Sequence, residues 1–421
     1  MSRDMKVRRY GFERKRKQKK RIITTVVMVL VLGTAAAVGW LAFDPIYDFV
    51  TNFHLPAPQV QAPPDSEPQS PDGASQPSPD GPAQEPGKTG GEGEDFPATT
   101  AYLPPLMMTE AALPGRLEAL KAQGVQGVVF DLKDAQGRVR YVSGLDQVAR
   151  NLAQEEDAMD LGWAVRTIRQ AGLVPVGRLY AFRDHTAPAH MYDSAVKYMG
   201  SKVNWINDSS ANGGRPWLNP NDADARQYIL DLIGEAADQG LDQVILDGVQ
   251  FPEGVALHLA TYGVTGDLDK SAILADFLTK ARARGESDGV TVWPVVNLLS
   301  AAGVSDVRYG GSVGRLLKAA GRAVVEVMPD QFGGGVTTET LTLSAPALTP
   351  YDTVKSALGA CGDVLDGEYE YVAMVQAYTA PNLAASANKP YTKTEVDDQV
   401  RAVKEAGISR VLWYSPGGTY P

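Results

Sequence analysis

From about residue 99 onward, short apolar runs rich in β-branched side chains alternate with longer amphipathic stretches. The runs are Ala101–Met107, Gly127–Leu132, Leu173–Tyr180, Gln243–Asp247, Val290–Val296, Ala323–Met328, Tyr371–Gln376 and Arg410–Tyr414. Each is too short for a buried helix and is read as a buried strand. Between them, Arg116–Gln123, Asp160–Ala171, Asp222–Gln239, Asp269–Arg284 and Lys393–Ala406 carry apolar positions at helical spacing. One phrase recurs: Gln123-Gly124-Val125, Ala171-Gly172-Leu173 and Ala406-Gly407-Ile408 each read as a helix end, a glycine turn and a strand start.

Eight such strands with helices between them, over ~320 residues, predict an α/β fold, the (β/α)8 TIM barrel. A doubly wound open sheet is the alternative. It would carry a glycine-rich phosphate loop after its first strand, and none is present here.

A different pattern precedes the barrel. Ile22–Phe43 is 22 residues without a charge, enough to cross a hydrocarbon core as a helix. Before it, residues 1–21 hold eleven Lys or Arg against two acids. A basic flank of this kind stays cytoplasmic and places the C-terminal side outside. The expectation is a single-pass signal anchor, with the N-terminus cytoplasmic, the barrel extracellular and residues 1–43 contacting membrane lipid. A cleaved signal peptide is the alternative, but its apolar stretch would be only about 7–15 residues. Residues 44–98 are rich in Pro, Gly, Ser and acids and predict a disordered linker that holds residues 99–421 off the membrane.

Composition narrows the partners. The chain carries −10 overall, and the N-terminal block alone is at +9, so the remaining 400 residues stand near −19. That balance excludes nucleic acid as the outer domain's partner. The single cysteine, Cys361, rules out an internal disulfide, and the four histidines show no ligand spacing, so no metal and no cofactor is expected. Gly310-Gly311-Ser312-Val313-Gly314 fits the serine-hydrolase elbow, but no strand leads directly into it and no histidine follows it.

In a barrel, chemistry lies at the C-terminal ends of the strands. There the sequence places Asp131, Lys133 and Asp134, then Arg178, Asp247, Asn297, Glu326, Gln376 and Trp413. Acids, amides and aromatic faces on one rim suit a sugar. Asp247 is the first catalytic candidate, with Asp131, Asp134 or Glu326 as its partner. Lys133, Arg178, Asn297, Gln376 and Trp413 are the substrate-binding candidates. Plainer readings stand beside these: Asp131 and Asp134 with Lys133 as a local ion pair and turn cap, Asp247 as a cap of the following loop, Glu326 as facing solvent between helices, Arg178 as the partner of Asp131 or Asp247, and Trp217 and Trp413 as core.

Several separated motifs then carry a resemblance. They are Val128-Val129-Phe130-Asp131-Leu132-Lys133-Asp134 with Gly137-Arg138-Val139-Arg140-Tyr141, and Pro175-Val176-Gly177-Arg178-Leu179. Trp217-Leu218-Asn219-Pro220, Gly240 to Asp247 leading to Phe251-Pro252, and the Trp413 strand follow in order. The chain resembles a bacterial family of glycoside-hydrolase domains once catalogued only as a domain of unknown function, over nearly all of 99–420. The resemblance implies a glycosidase-like barrel acting on an envelope or extracellular polysaccharide. Where that family has Tyr and Arg after the fourth strand, this sequence has Gly248 and Gln250. After the sixth strand it has Met328-Pro329-Asp330-Gln331-Phe332 in place of a Tyr-Pro-Ser-His-Tyr-like segment. These departures open the competing reading, a weakened or inactive glycan-binding pseudoenzyme on the same barrel.

Overall fold

The computed structural model describes residues 95–421 apart from 265, 298–307, 311–312 and 366–367. The expected basic segment and membrane span, and nearly all of the linker, lie outside those residues. Among the described residues, no helix is long and apolar enough to cross a membrane.

Eight parallel strands close into a barrel: β1 (Thr99–Leu103), β2 (Gly127–Lys133), β3 (Val174–Tyr180), β4 (Gln243–Asp247), β5 (Thr291–Asn297), β6 (Arg322–Glu326), β7 (Glu370–Gln376) and β8 (Arg410–Tyr414). β1 pairs with both β2 and β8, which leaves the barrel without an edge. The predicted fold class is therefore the observed one, and the open-sheet alternative is excluded. The first strand starts and ends earlier than its apolar run because Pro104-Pro105 ends the ladder and begins a 3-10 turn.

Helices α1 (Leu113–Ala122), α2 (Leu161–Gln170), α3 (Ala223–Asp238), α4 (Lys270–Asp288), α5 (Val313–Ala320), α6 (Pro350–Cys361) and α7 (Lys393–Glu405) fill the seven crossovers. Asp160, Asp222 and Asp269 cap α2, α3 and α4, each accepting from a backbone N–H three residues on. Thr392 and Glu395 form a reciprocal capping box on α7. The glycines predicted to end helices, Gly124, Gly172 and Gly407, and likewise Gly240 after α3, all have φ between +77° and +92°, which explains why that position recurs as glycine.

Alternation along the strands divides the core in two. Val129, Val176, Ile245, Val324, Val372 and Leu412 fill the barrel interior, while the intervening residues pack outward against the helices. Trp293 and Phe96 meet edge to face at 5.0 Å in that inner cluster. The same alternation, carried one step further toward the C-terminal mouth, replaces the apolar layer with charged and aromatic side chains.

The loops after β3 and β4 add a lobe. Lys197–Tyr198 pairs antiparallel with Ala260–Thr261, over a small cluster of Val196, Trp205 and Trp217. Trp217 is fully packed there, which settles its plainer reading as core.

Candidate active site

Arg178, on β3, is the hub of the mouth. It is 4 % exposed, and its guanidinium reaches Asp247 on β4 through Nε at 3.0 Å and Nη2 at 2.5 Å, both to Oδ2. Its Nη1 lies 3.9 Å from Oδ1 of Asp131 on β2. Three tyrosines enclose it, with ring centroids 4.7 Å (Tyr180), 5.4 Å (Tyr414) and 5.7 Å (Tyr102) from its Cζ. Burial opposes its charge, yet Tyr180, Asp247 and Asp131 together hold it firmly protonated.

The two carboxylates around Arg178 differ. Asp247 is bonded on both oxygens, since Oδ1 also accepts from the Gly248 N–H at 2.6 Å. Asp131 has a Tyr102 hydroxyl donating to Oδ2 at 2.7 Å, but no hydrogen bond reaches its Oδ1. Burial pushes the Asp131 carboxyl above the usual range, against the pull of Arg178 and the Tyr102 hydroxyl.

Glu326, at the end of β6, shares the interior face with these groups, since Val324 two residues earlier lines the barrel. It keeps some solvent contact as a residue, while protein packs densely around its carboxyl group. Burial first, then the neighbouring Asp247 charge, pushes its pKa up to about 7. Arg178 and hydrogen bonds from Gln331 and Asn297 act in the opposite direction. Asn297, its register partner on β5, also donates to Gln331 Oε1 at 3.3 Å. Beyond it, the Tyr378 hydroxyl donates to Asp330, whose carboxyl is pushed up by burial.

The structure thus brings Asp131, Arg178, Asp247, Asn297 and Glu326 to one mouth. It separates the other candidates from it. β2 carries an extra residue opposite β3 between Asp131 and Lys133, and this bulge turns Lys133 outward. Fully buried, Lys133 pairs with Asp184 at 2.8 Å and donates to the carbonyls of Tyr180 and Ala181. It holds the β3 end in place and is not open to a substrate. Asp134 accepts from the backbone N–H of Gln136 and Arg138 and pairs with Arg140 at 2.5 Å, an anchor for the turn after β2. Gln376 faces inward but is 0 % exposed. Its amide accepts from the Asp330 N–H and donates to the Tyr378 carbonyl, so it positions that loop. Trp413 has the outward parity and packs on the outer core, whereas Tyr414 faces the mouth. Tyr102 and Asp184 were not singled out from the sequence. The alternation of β1 carries a signal for Tyr102, but Asp184 sits in an irregular loop with no pattern to mark it.

A family model described as "Putative glycosyl hydrolase domain" matches residues 101–420. The chain belongs to this family. The glycosyl hydrolase domain also shares its fold with the glycoside hydrolase domain of PgaB (BpsB) from Bordetella bronchiseptica. That match has 14% identity and a TM-score of 0.55, over 77% of this chain and 95% of that one. A hypothetical protein from Ruminiclostridium thermocellum aligns at 24% identity and a TM-score of 0.41, over 46% of this chain and 96% of its own. No curated protein matches the sequence.

Proposed function

We propose that the barrel hydrolyses a polysaccharide of the cell envelope or extracellular matrix, with Glu326 as general acid and Asp247 as the carboxylate facing the anomeric carbon. The observation that carries this is the opposed setting of two carboxyls at one mouth. Arg178 and the Gly248 N–H hold the Asp247 carboxylate in place, while burial and the neighbouring Asp247 raise the pKa of Glu326 to about 7. A carboxyl of raised pKa beside a second, firmly positioned carboxyl is what glycosidic cleavage uses: one protonates the leaving oxygen and the other attacks or activates water. Asp247 Oδ2 accepts both Arg178 bonds, but Oδ1 accepts only the Gly248 N–H and keeps a further lone pair. Asp131 and Asn297 would bind sugar hydroxyls, and Tyr102, Tyr180 and Tyr414 exclude water around the ion pair.

The same reading places the barrel outside the cytoplasm on the anchor at residues 22–43, with residues 44–98 as its tether. Protease added to intact cells should release a fragment beginning within 44–98. Free barrel in the medium without protease, trimmed near Ala37, would remove the anchor.

A glycan-binding protein without turnover is the second reading, favoured by Gly248 and Gln250 at positions where the family carries rim side chains. Asp247→Asn separates the two. With the full chain and labelled wall and exopolysaccharide fractions, an enzyme loses several orders of magnitude in release of reducing ends while affinity changes little. Binding by the unaltered protein, with no release from any fraction, decides for the binder.

A further inference from the structure

The mouth does not end at Asp131. On its other side lies a cavity of ≈ 260 Å³, between the β1–α1 loop, a short strand Gln154–Met159 and the start of α2. Leu106, Met108, Met159 and Trp163 give it apolar walls, and its polar lining includes Asp131, Arg140 and the acids Glu110, Asp157 and Asp160. We propose that this cavity is a second sugar subsite, which receives a neutral pyranose of the same glycan whose cleavage or binding is assigned to the mouth. The inference rests on that glycan reading.

Three observations support it. Asp131 is 8 % exposed, yet its Oδ1 has no hydrogen-bond donor, and the Nε of Arg140 is buried with no acceptor. The Arg140 terminal nitrogens face Asp134 and Glu155, so its Nε is the atom left over. Both orphan atoms are closed to solvent, so a sugar hydroxyl, which both donates and accepts, can serve either one only as that side chain turns toward the cavity. Secondly, an indole and two methionines supply the apolar contact that a pyranose face needs. Thirdly, the volume lies near the lower end of ligand sites, roughly 300 Å³, which suits one ring and not a chain. The exposed acids Glu110 and Asp157 in the lining disfavour an anionic sugar such as a uronic acid.

The test uses the full chain in detergent with cello- and N-acetylchito-oligosaccharides, from disaccharide to hexasaccharide, by titration calorimetry. Ala158→Trp fills the cavity from its wall and Trp163→Ala removes the aromatic face, and neither residue belongs to the catalytic pair. Both variants should weaken the longest oligosaccharide that binds by about tenfold or more. Turnover of an aryl monoglycoside, which occupies the mouth alone, should not change. Variants with unaltered melting temperature and unaltered oligosaccharide affinity overturn the subsite and leave the hydrolase reading standing. Binding that depends on the cavity without any hydrolysis supports the subsite and removes only the hydrolase. No binding of any oligosaccharide by the unaltered protein overturns subsite and glycan reading together. If Trp163→Ala melts early, Ala158→Trp alone decides.

Discussion

Arg178 directs two nitrogens, Nε at 3.0 Å and Nη2 at 2.5 Å, at a single oxygen of Asp247, and both residues are almost wholly removed from water. An ion pair so placed has a large desolvation penalty, offset here only because the geometry is close and the other Asp247 oxygen is also bonded. The arrangement fixes the position of Asp247 beside Glu326, whose raised pKa suits a proton donor.

Arg178→Met should therefore damage both stability and chemistry. It strands the Asp247 carboxylate in a site built for an ion pair, a loss of about 3–5 kcal/mol in unfolding free energy. Turnover should fall by ~100-fold or more, because an Asp247 released from the Arg178 fork loses the position from which it attacks or activates water. Arg178→Lys keeps the charge but not the fork, and should recover only part of either quantity. Denaturant melts and rates at pH 6 measure both. A variant with unchanged midpoint and rate would show that the pair is incidental.

Glu326 gives the pH dependence. Its raised pKa, about 7, means that the acid form survives toward neutrality and is lost above it. Hydrolysis should decline as pH rises through 7. In Glu326→Gln that limb should vanish, with aryl glycosides of good leaving groups least affected. Stability follows with a definite sign. Between the ordinary carboxylate range and pH 7 the folded state binds more protons than the unfolded state, so Glu326 makes the wild type less stable as pH rises. The melting temperature of Glu326→Gln relative to wild type should climb across that window. A flat difference would refute a buried, raised carboxyl.

Much of this was legible in the sequence, and for a physical reason. Barrel strands buried on both faces read as continuous apolar runs, and helix ends in this chain repeat a glycine that must adopt positive φ. Position along a strand also put Asp131, Arg178, Asn297, Asp247 and Glu326 at one mouth. Facing direction was harder to read. One extra residue in β2 turned Lys133 out, and a shift of one position makes Tyr414, not Trp413, the mouth aromatic. Asp134 and Gln376 are rim candidates by their strand-end position, yet their hydrogen bonds tie down a turn and a loop. Hydrogen-bond partners supplied by distant loops, such as Asp184 for Lys133, have no local pattern in the chain.

That buried pair allows its own prediction. Asp184 receives the Lys133 ammonium and also two backbone N–H groups, from Thr186 and Ala187, at 2.8 Å each. Asp184→Ala should destabilise the barrel by about 3–5 kcal/mol, since it leaves a buried ammonium short of its counter-charge. Lys133→Met should cost a similar amount, and the double variant less than the sum of the two. Glycan affinity of whatever remains folded should match wild type. Selective loss of affinity in Lys133→Met, with stability intact, would return Lys133 to the substrate.

Gly248 supplies the last test, because the family resemblance implies a tyrosine where this chain has a glycine. An added rim hydroxyl suggests faster turnover from Gly248→Tyr. The backbone predicts the reverse. Gly248 has φ +62°, where a side chain costs about 1–2 kcal/mol. A Cβ there would stand 3.1 Å from the Cβ of Arg183 and 3.2 Å from the Tyr180 ring. Tyr180 accepts from Arg178 Nη2, so any shift of its ring disturbs the guanidinium that holds Asp247. Gly248→Ala measures the backbone and Cβ cost alone, and should lower the melting temperature with a modest loss of rate. Gly248→Tyr should lower both further. If Gly248→Tyr instead melts as wild type and turns over faster, the loop after β4 can adopt the family's conformation, and the glycine is not what limits this site.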